Sequence, residues 1–276
     1  MAILITKADG TSQEFNSAKL HGSLVHAGAD DAIAEEIVNE IAKELYEGIT
    51  TTEIYRRAFA HLRERKHPAA SRYSLKRAML EFGPSGFPFE AYLAEIFRAK
   101  GYSAKIGQII QGACVEHEVD VVMMKDAVTT YIEAKFHNTV GFKTDLQVSL
   151  YVKARMDDIR ATVKDPHAVL GLLATNTKFT SQVVQYSTCA GLGLLGWEYP
   201  DKGNLHDLID ETHLYPITAL TSISNREKAA LMSEKVVLCN GILQNSSAFL
   251  RAGIPEKRIG EIITEAGMLC QPGKWI

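Results

Sequence analysis

The sequence predicts an α/β protein: a mostly helical N-terminal module with a β-hairpin, an αβββαβ core on a mixed sheet, and a small helical tail. Three observations lead there. Strand-like runs lie between about 102 and 136, with helical apolar spacing on either side. A strand, a helix and a further strand between 129 and 174 imply a parallel pair joined by a right-handed crossover. The break Phe82-Gly83-Pro84-Ser85-Gly86 separates this pattern from a preceding unit of different character. The expected domains are residues 1–83, 86–198 and 199–276.

The first module opens with ILIT, the turn KADG and QEF, a short hairpin with Asp9-Gly10 as its turn signal. Ser17 is read as the N-cap of a helix to about residue 27. Ile33, Ile37, Ile41 and Leu45 recur every fourth residue in the helix expected from Ala32 to Tyr46. Thr51 or Thr52 caps the next helix, which carries Ile54, Ala58 and Leu62. Pro68 ends that region, and a last helix runs from about 69 to 80. In the core, a helix over 87–99 carries Phe89, Leu93, Ile96 and Phe97 on one side and stops at Gly101. Strands follow at 102–110, 118–124 and 129–136, then helix 145–162, strand 168–174, helix 180–190 and strand 192–197. The tail shows helices at about 225–239, 245–252 and 255–267, with Pro255 opening the last.

Composition narrows the function classes. The 276 residues include 46% hydrophobic and 23% charged residues, which suits a folded domain or two. No apolar run reaches the roughly 18 residues of a membrane span, and MAILITKADG lacks the pattern of a secretory signal. Cys114, Cys189, Cys239 and Cys270 form no CxxC pair, so neither a zinc site nor a disulfide framework is expected. A cytoplasmic protein with reduced thiols and no membrane partner is the expectation. Formal net charge is −3, so any nucleic-acid footprint has to be local. Arg56, Arg57, Arg63, Arg65, Lys66, Arg72, Lys76 and Arg77 are the candidate stretch, and a solvated helix face is the competing reading.

Most of the chemistry lies in EVDVVMMKDAVTTYIEAKF, residues 118–136. A hairpin turning between Asp126 and Ala127 sets Asp120 opposite Glu133, and Glu118 opposite Lys135. Alternation along each strand puts Val119, Val121, Met123, Thr130, Ile132, Ala134 and Phe136 on a core face. Glu118, Asp120, Glu133 and Lys135 then share the other. Carboxylates directly opposite one another repel, and a divalent cation removes the repulsion. Oxygen ligands at about 2.0–2.1 Å suit Mg²⁺, which activates water and polarises phosphorus. Lys135 reaches the same side, where it holds the water or stabilises the charge that develops. On spacing alone, the same residues also make a solvated polar face with a cross-strand ion pair.

Asp120, a twelve-residue interval and Glu133-Ala134-Lys135 resemble the PD-(D/E)XK nuclease superfamily, particularly its Mrr-like restriction endonuclease branch. Val119 stands where the name has proline. The resemblance spans about residues 86–197 and includes the αβββαβ order. It implies a catalytic set of Glu90, Asp120, Glu133, Lys135 and Gln147. Asp120, Glu133 and the carbonyl of Ala134 would hold Mg²⁺ or Mn²⁺. Glu90, at the edge of the apolar stripe in FPFEAYLAEIF, is a carboxylate in need of a partner. Gln147, in TDLQVSL, opens the following helix. His117 and His137 flank the motifs as phosphate contacts or proton carriers, or as surface residues.

ITKADGTSQEFNSAKLH, GITTTEIY and SRYSLKRA together resemble an ATP-cone across about residues 3–80. The resemblance implies an adenine nucleotide, ATP or dATP, held by Lys7, Asn16, Lys19, Thr51 and Tyr55, with Ile5 and Gln13 as further contacts. Lys7-Ala8 replaces the family's frequent Lys-Arg, which removes a positive charge. Tyr55 stands where some members have histidine. No GxxxxGK[ST] loop is present, so a P-loop ATPase is not expected. In the tail, Phe249–Pro255 with Ile259 and Ile262 faintly suggests a helix-hairpin-helix with Arg251, Lys257 and Arg258 on DNA; a plain packing unit is the competing reading. The whole reads as a metal-dependent DNA endonuclease regulated by a nucleotide, acting as a homodimer or higher homo-oligomer. A nucleotide-sensing DNA-binding or assembly protein that does not cleave is the alternative, and RNA is a further possible substrate.

Overall fold

The computed structural model describes residues 3–7, 10–83, 86–139, 141–244 and 247–270. Asp9 of the expected hairpin turn, and Pro84 and Ser85 of the expected break, lie outside them. The chain divides into two compact units, Met1–Met79 with Tyr215–Ile276, and Leu80–Leu214.

In the first unit, β1 (Leu4–Thr6) and β2 (Ser12–Glu14) pair antiparallel, with Ile5 opposite Gln13. The chain then runs through α1 (Ser17–His26), α2 (Asp31–Glu44), α3 (Thr51–Arg65), α4 (His67–Tyr73) and α5 (Leu75–Ala78). Two caps differ from expectation by one residue. Asn16, not Ser17, caps α1, its Oδ1 accepting from Lys19 N–H at 2.9 Å. Thr50, not Thr51 or Thr52, caps α3 by accepting from Glu53 N–H at 3.1 Å. Both satisfy amides that have no partner within the helix. The region expected as one helix over 69–80 is two, and Pro68 falls in the first turn of α4 rather than ending its predecessor. Ile5, Leu20, Leu24, Ile37, Ile41, Ile54 and Leu62 share one core.

Part of the basic stretch of this unit is paired with carboxylates of the same unit. Glu40 and Glu44 of α2 face Arg57, His61 and Arg65 of α3. Arg57 bonds Glu44 at 2.7 Å and Glu53 at 2.6 Å, Arg65 bonds Glu40 at 2.7 Å, and Lys66 bonds Asp30 at 3.1 Å. Glutamates four apart on one helix meet bases four apart on the next.

In the second unit, α6 (Phe87–Ala99) leads into β3 (Ser103–Gln111), β4 (Glu116–Lys125) and β5 (Val128–Lys135). After β6 (Lys143–Thr144) come α7 (Leu146–Arg160), β7 (Val169–Thr175), β8 (Lys178–Phe179), α8 (Ser181–Ala190) and β9 (Gly193–Leu195). The main sheet has the order β3-β4-β5-β7-β9, antiparallel up to β5 and parallel beyond, so the mixed αβββαβ core is present. Phe136 packs on Phe89 of α6, whereas Tyr131 packs with Val152 and Met156 of α7. The two helices therefore cover opposite faces of the sheet. The sequence reading missed α9 (Leu205–Thr212), capped by Asn204. Tyr92 of α6 anchors this segment by donating to Leu214 C=O at 2.7 Å.

Residues 215–276, expected as part of a separate tail, cluster with the first unit. They hold α10 (Asn225–Ser233), α11 (Cys239–Gln244), α12 (Ser247–Arg251) and α13 (Glu256–Cys270). Glu265 of α13 is 7% exposed. It accepts from Ser71 Oγ of α4 at 3.1 Å, from Thr221 N–H and Oγ1 at 2.7 Å each, and from Ser222 N–H at 2.9 Å. Arg251 pairs with Glu234, and Arg258 with Glu227 and Ser222 C=O. These two charges, raised as DNA contacts, are thus tied up within the unit.

Candidate active site

The site begins with a tight turn. Asp126 and Ala127 both take left-handed backbone angles, φ 50° and 66°, as a two-residue turn between twisted strands requires. The β4–β5 register then runs from Lys125 opposite Val128 to Val121 opposite Ile132. The offset is the one expected from the sequence, but the ladder ends before the expected pairs, Asp120 with Glu133 and Glu118 with Lys135. Beyond it, the carboxylate of Asp120 accepts the N–H of Ala134 at 2.7 Å. The N–H and C=O of one strand residue point to the same side, so the Ala134 carbonyl also faces β4.

Alternation sorts the two faces as expected. Val119, Val121, Ile132 and Ala134 are buried on the side of α6. Glu133 projects to the other face, but solvent does not reach it: Glu133 is only 5% exposed. The polar face read from the sequence is covered by α7. Tyr151 donates its hydroxyl to Glu133 Oε1, Arg155 donates to Oε2 at 2.5 Å, and Lys135 Nζ lies 2.6 Å from Oε1. Lys135 and Arg155 also flank the Tyr151 ring, 5.5 and 5.0 Å from its centroid.

Electrostatics follow from this packing. Burial pushes the Glu133 carboxyl up, but Lys135, Tyr151 and Arg155 outweigh it, and the group sits below its ordinary range. The Tyr151 hydroxyl is pushed up to about 12 by burial and by Glu133. Burial lowers the Lys135 ammonium, yet Glu133 more than compensates, so Lys135 stays cationic at neutral pH. Burial and Glu133 raise Asp120. Glu90, near the start of α6, is raised to about 7 by burial and then by the charges of Asp120, Glu118 and Glu133. Glu90 thus feels the negative charge of Asp120, Glu118 and Glu133, with Lys135 opposing them.

Asp120 and Glu133 have the donor chemistry that suits a hard divalent cation, all oxygen and shielded from solvent. A carboxylate offers about four lone-pair directions. Asp120 uses one of them on Ala134, whereas Glu133 uses three, on Tyr151, Lys135 and Arg155. Among the described residues, the oxygens of Glu90, Asp120 and Glu133 are not gathered within 4.8 Å of one another. Asp120 is therefore the more open ligand, and Glu133 has to yield a hydrogen bond to join it.

The remaining expected residues fall around these carboxylates. Gln147 is exposed in the first turn of α7. It is one turn before Tyr151 and two before Arg155, on the same stripe, and has no hydrogen-bond partner among the described residues. Sequence reasoning missed Tyr151 and Arg155, although their spacing from Gln147 was a usable signal. It also missed Asn176, 1% exposed, whose amide donates to His137 C=O at 2.7 Å and accepts His137 N–H at 2.9 Å. That pair of bonds fixes the chain just beyond Lys135. His137 packs at a tilt against Phe142 and reaches Thr144 Oγ1 at 3.2 Å.

In the other unit, Thr6 bridges to Thr50, which brings β1 beside the start of α3. Lys7 and Thr51 follow directly on these two residues. Asn16 and Lys19 are exposed at the start of α1, and Asn16 Oδ1 is occupied by the Lys19 amide. Tyr55 stacks on Tyr73 at 5.1 Å and on Phe59 at 6.3 Å, so its ring is engaged within the unit.

These two architectures have recognisable relatives. Residues 3–79 match the ATP cone domain and residues 84–195 the restriction endonuclease family, so the chain joins an ATP-cone to an Mrr-type restriction-endonuclease-like domain. Residues 215–270 match the AF1548-like C-terminal family. An uncharacterised protein of Archaeoglobus fulgidus is 34% identical over 176 residues, covering 63% of this chain and 97% of its own. The crystal structure of AF1548, a protein of unknown function, is 30% identical with a TM-score of 0.56, over 67% of this chain and 98% of that one. The chain belongs to this AF1548-like family. The MspJI restriction endonuclease in complex with a 27-mer oligonucleotide matches at 13% identity and a TM-score of 0.32, over 71% of this chain and 39% of its own.

Proposed function

We propose that the protein is a metal-dependent endonuclease that hydrolyses phosphodiester bonds in DNA, controlled by an adenine nucleotide at its ATP-cone. One observation carries the reading: where the β4–β5 ladder ends, Asp120 bonds the Ala134 amide and the neighbouring Glu133 bonds Lys135. Asp120, Glu133 and the Ala134 carbonyl would hold Mg²⁺ or Mn²⁺, and Glu90 would complete the set. Such an ion supplies a Lewis acid for the phosphate and a water of lowered pKa. Lys135, held cationic, stabilises charge on the phosphate rather than serving as a general base. Tyr151 positions Glu133, Arg155 competes with the ion for its lone pairs, and Gln147 faces the approaching strand from the start of α7. Lys7, Asn16, Lys19, Thr51 and Tyr55 are the proposed nucleotide contacts.

The competing reading is a nucleotide-sensing DNA-binding or assembly protein that does not cleave. The three-fold engagement of Glu133 favours it. Supercoiled plasmid with Mg²⁺, with and without ATP or dATP, separates the two. Nicking that disappears in Lys135→Ala, with the fold intact by circular dichroism, supports the nuclease. Binding without nicking under every nucleotide condition supports the alternative. A parallel arm with RNA identifies the substrate polymer.

A further inference from the structure

A shallow, open surface cavity of about 620 Å³ adjoins Glu133 through Tyr151 and Arg155. These two side chains hold Glu133 on one side and line the cavity on the other. Ala154 leaves the α7 face of the cavity open, and Val115 of the β3–β4 connection and His117 of β4 form its other wall. Asp158 fixes that wall. Its carboxylate accepts from His117 Nε2 at 2.8 Å, from Cys114 N–H at 2.9 Å and from Val115 N–H at 3.4 Å. Its carbonyl accepts from Ala113 N–H at 3.0 Å. The imidazole is thereby oriented, and among the described residues its Nδ1 has no partner.

The lining selects the kind of ligand. Tyr151 is 38% exposed and Val115 56%, so the surface offers an aromatic ring and an apolar wall. The cavity's cation, Arg155, is committed to Glu133 at 2.5 Å, and Asp157 and Asp158 add negative charge. A phosphate is disfavoured there. A neutral, planar heteroaromatic group with hydrogen-bonding edges fits, and the volume lies within the range of about 300–1,000 Å³ usual for small-ligand sites. A substrate whose phosphate sits over Asp120 and Lys135 carries such a group one nucleotide away.

We propose that this cavity receives the base of the nucleotide adjoining the scissile phosphate, packed between Val115 and the exposed part of Tyr151 and hydrogen-bonded by His117 Nδ1. The proposal rests on the nuclease reading, and its test does not use cleavage. Oligodeoxynucleotides carrying 5-iodouracil at every position, single-stranded and duplex, are bound to the full chain with Ca²⁺ in place of Mg²⁺ and irradiated. Crosslinks are then mapped by peptide mass. Crosslinking to Tyr151 or His117 is expected. His117→Ala should weaken binding about tenfold, the loss of one stacked or hydrogen-bonded base. Because His117 also braces the wall, Ala154→Phe provides a second variant: an exposed position whose new ring fills the cavity. It should remove the crosslink and weaken binding with an unchanged melting temperature. DNA that binds but crosslinks elsewhere, and binds Ala154→Phe as it binds the parent, overturns the cavity assignment and leaves the nuclease reading standing. Absence of DNA binding overturns both. Crosslinks in the cavity without cleavage in Mg²⁺ keep the cavity and refute the nuclease.

Discussion

Lys135 carries the sharpest expectation at the scale of single residues. Its ammonium is held charged by Glu133, so its loss removes a fixed positive charge from where negative charge would develop. Lys135→Ala should lower the rate of plasmid nicking by about 10²–10³-fold, the usual cost of removing one such stabilising donor. Circular dichroism and the melting temperature should show the fold retained. Arg155 tests a different point. It and a cation compete for the lone pairs of Glu133, a carboxylate with three donors already in place. Arg155→Met should destabilise the unit by about 1–3 kcal/mol through a lost bond to a buried charge. It should also lower the Mg²⁺ concentration needed for half-maximal nicking. A titration that shows a raised requirement would mean that Arg155 helps place the ion instead of opposing it.

At the scale of elements, the β4–β5 hairpin and the joint between α4 and α13 make contrasting cases. The hairpin was legible because its turn, Asp126-Ala127, fixes the register, and the register fixes which side chains share a face. What covered that face was not legible. Burial of Glu133 comes from the docking of α7, a tertiary event that strand alternation does not encode. Helix α9 left a readable signal, Asn204 as cap before Leu205, Leu208 and Ile209, but its eight residues are short for a periodic pattern. The caps at Asn16 and Thr50 each have a neighbour of equally suitable type, and only geometry chooses between them. The joint at Glu265 was invisible in sequence because its donors come from residues 71, 221 and 222. Burial pushes this carboxyl up, yet its donors win and hold it below the ordinary 4.5. A depressed carboxyl contributes stability that is complete above its unfolded value and disappears as pH falls through the folded one. Acid unfolding of the parent should therefore steepen below pH 4.5. In Glu265→Gln an amide N–H₂ meets donors, so stability at pH 7 should fall by about 1–3 kcal/mol. The acid dependence should also flatten. Parallel melting curves at pH 7 and pH 4 check both; equal acid sensitivity of variant and parent would remove Glu265 from the account.

For the molecule as a whole, the segment shared with AF1548-like proteins clusters in one compact unit with the ATP-cone, so what a nucleotide does to the cone bears directly on α10–α13. Nucleotide binding changes behaviour only where two states differ in affinity. ATP or dATP is expected to shift the assembly state, read as a change in mass by light scattering, and Lys7→Ala should blunt the shift. An unchanged mass with nucleotide bound would confine the cone to another role. The central claim is that Asp120, Glu133 and the Ala134 carbonyl gather at one cation. Crystals soaked in Mn²⁺ and measured at its absorption edge test it most directly. An anomalous peak is expected between Asp120 and Glu133, with Glu133 released from at least one of Tyr151, Lys135 and Arg155; a saturating soak that leaves Glu133 bound to all three and places no peak at Asp120 would contradict this.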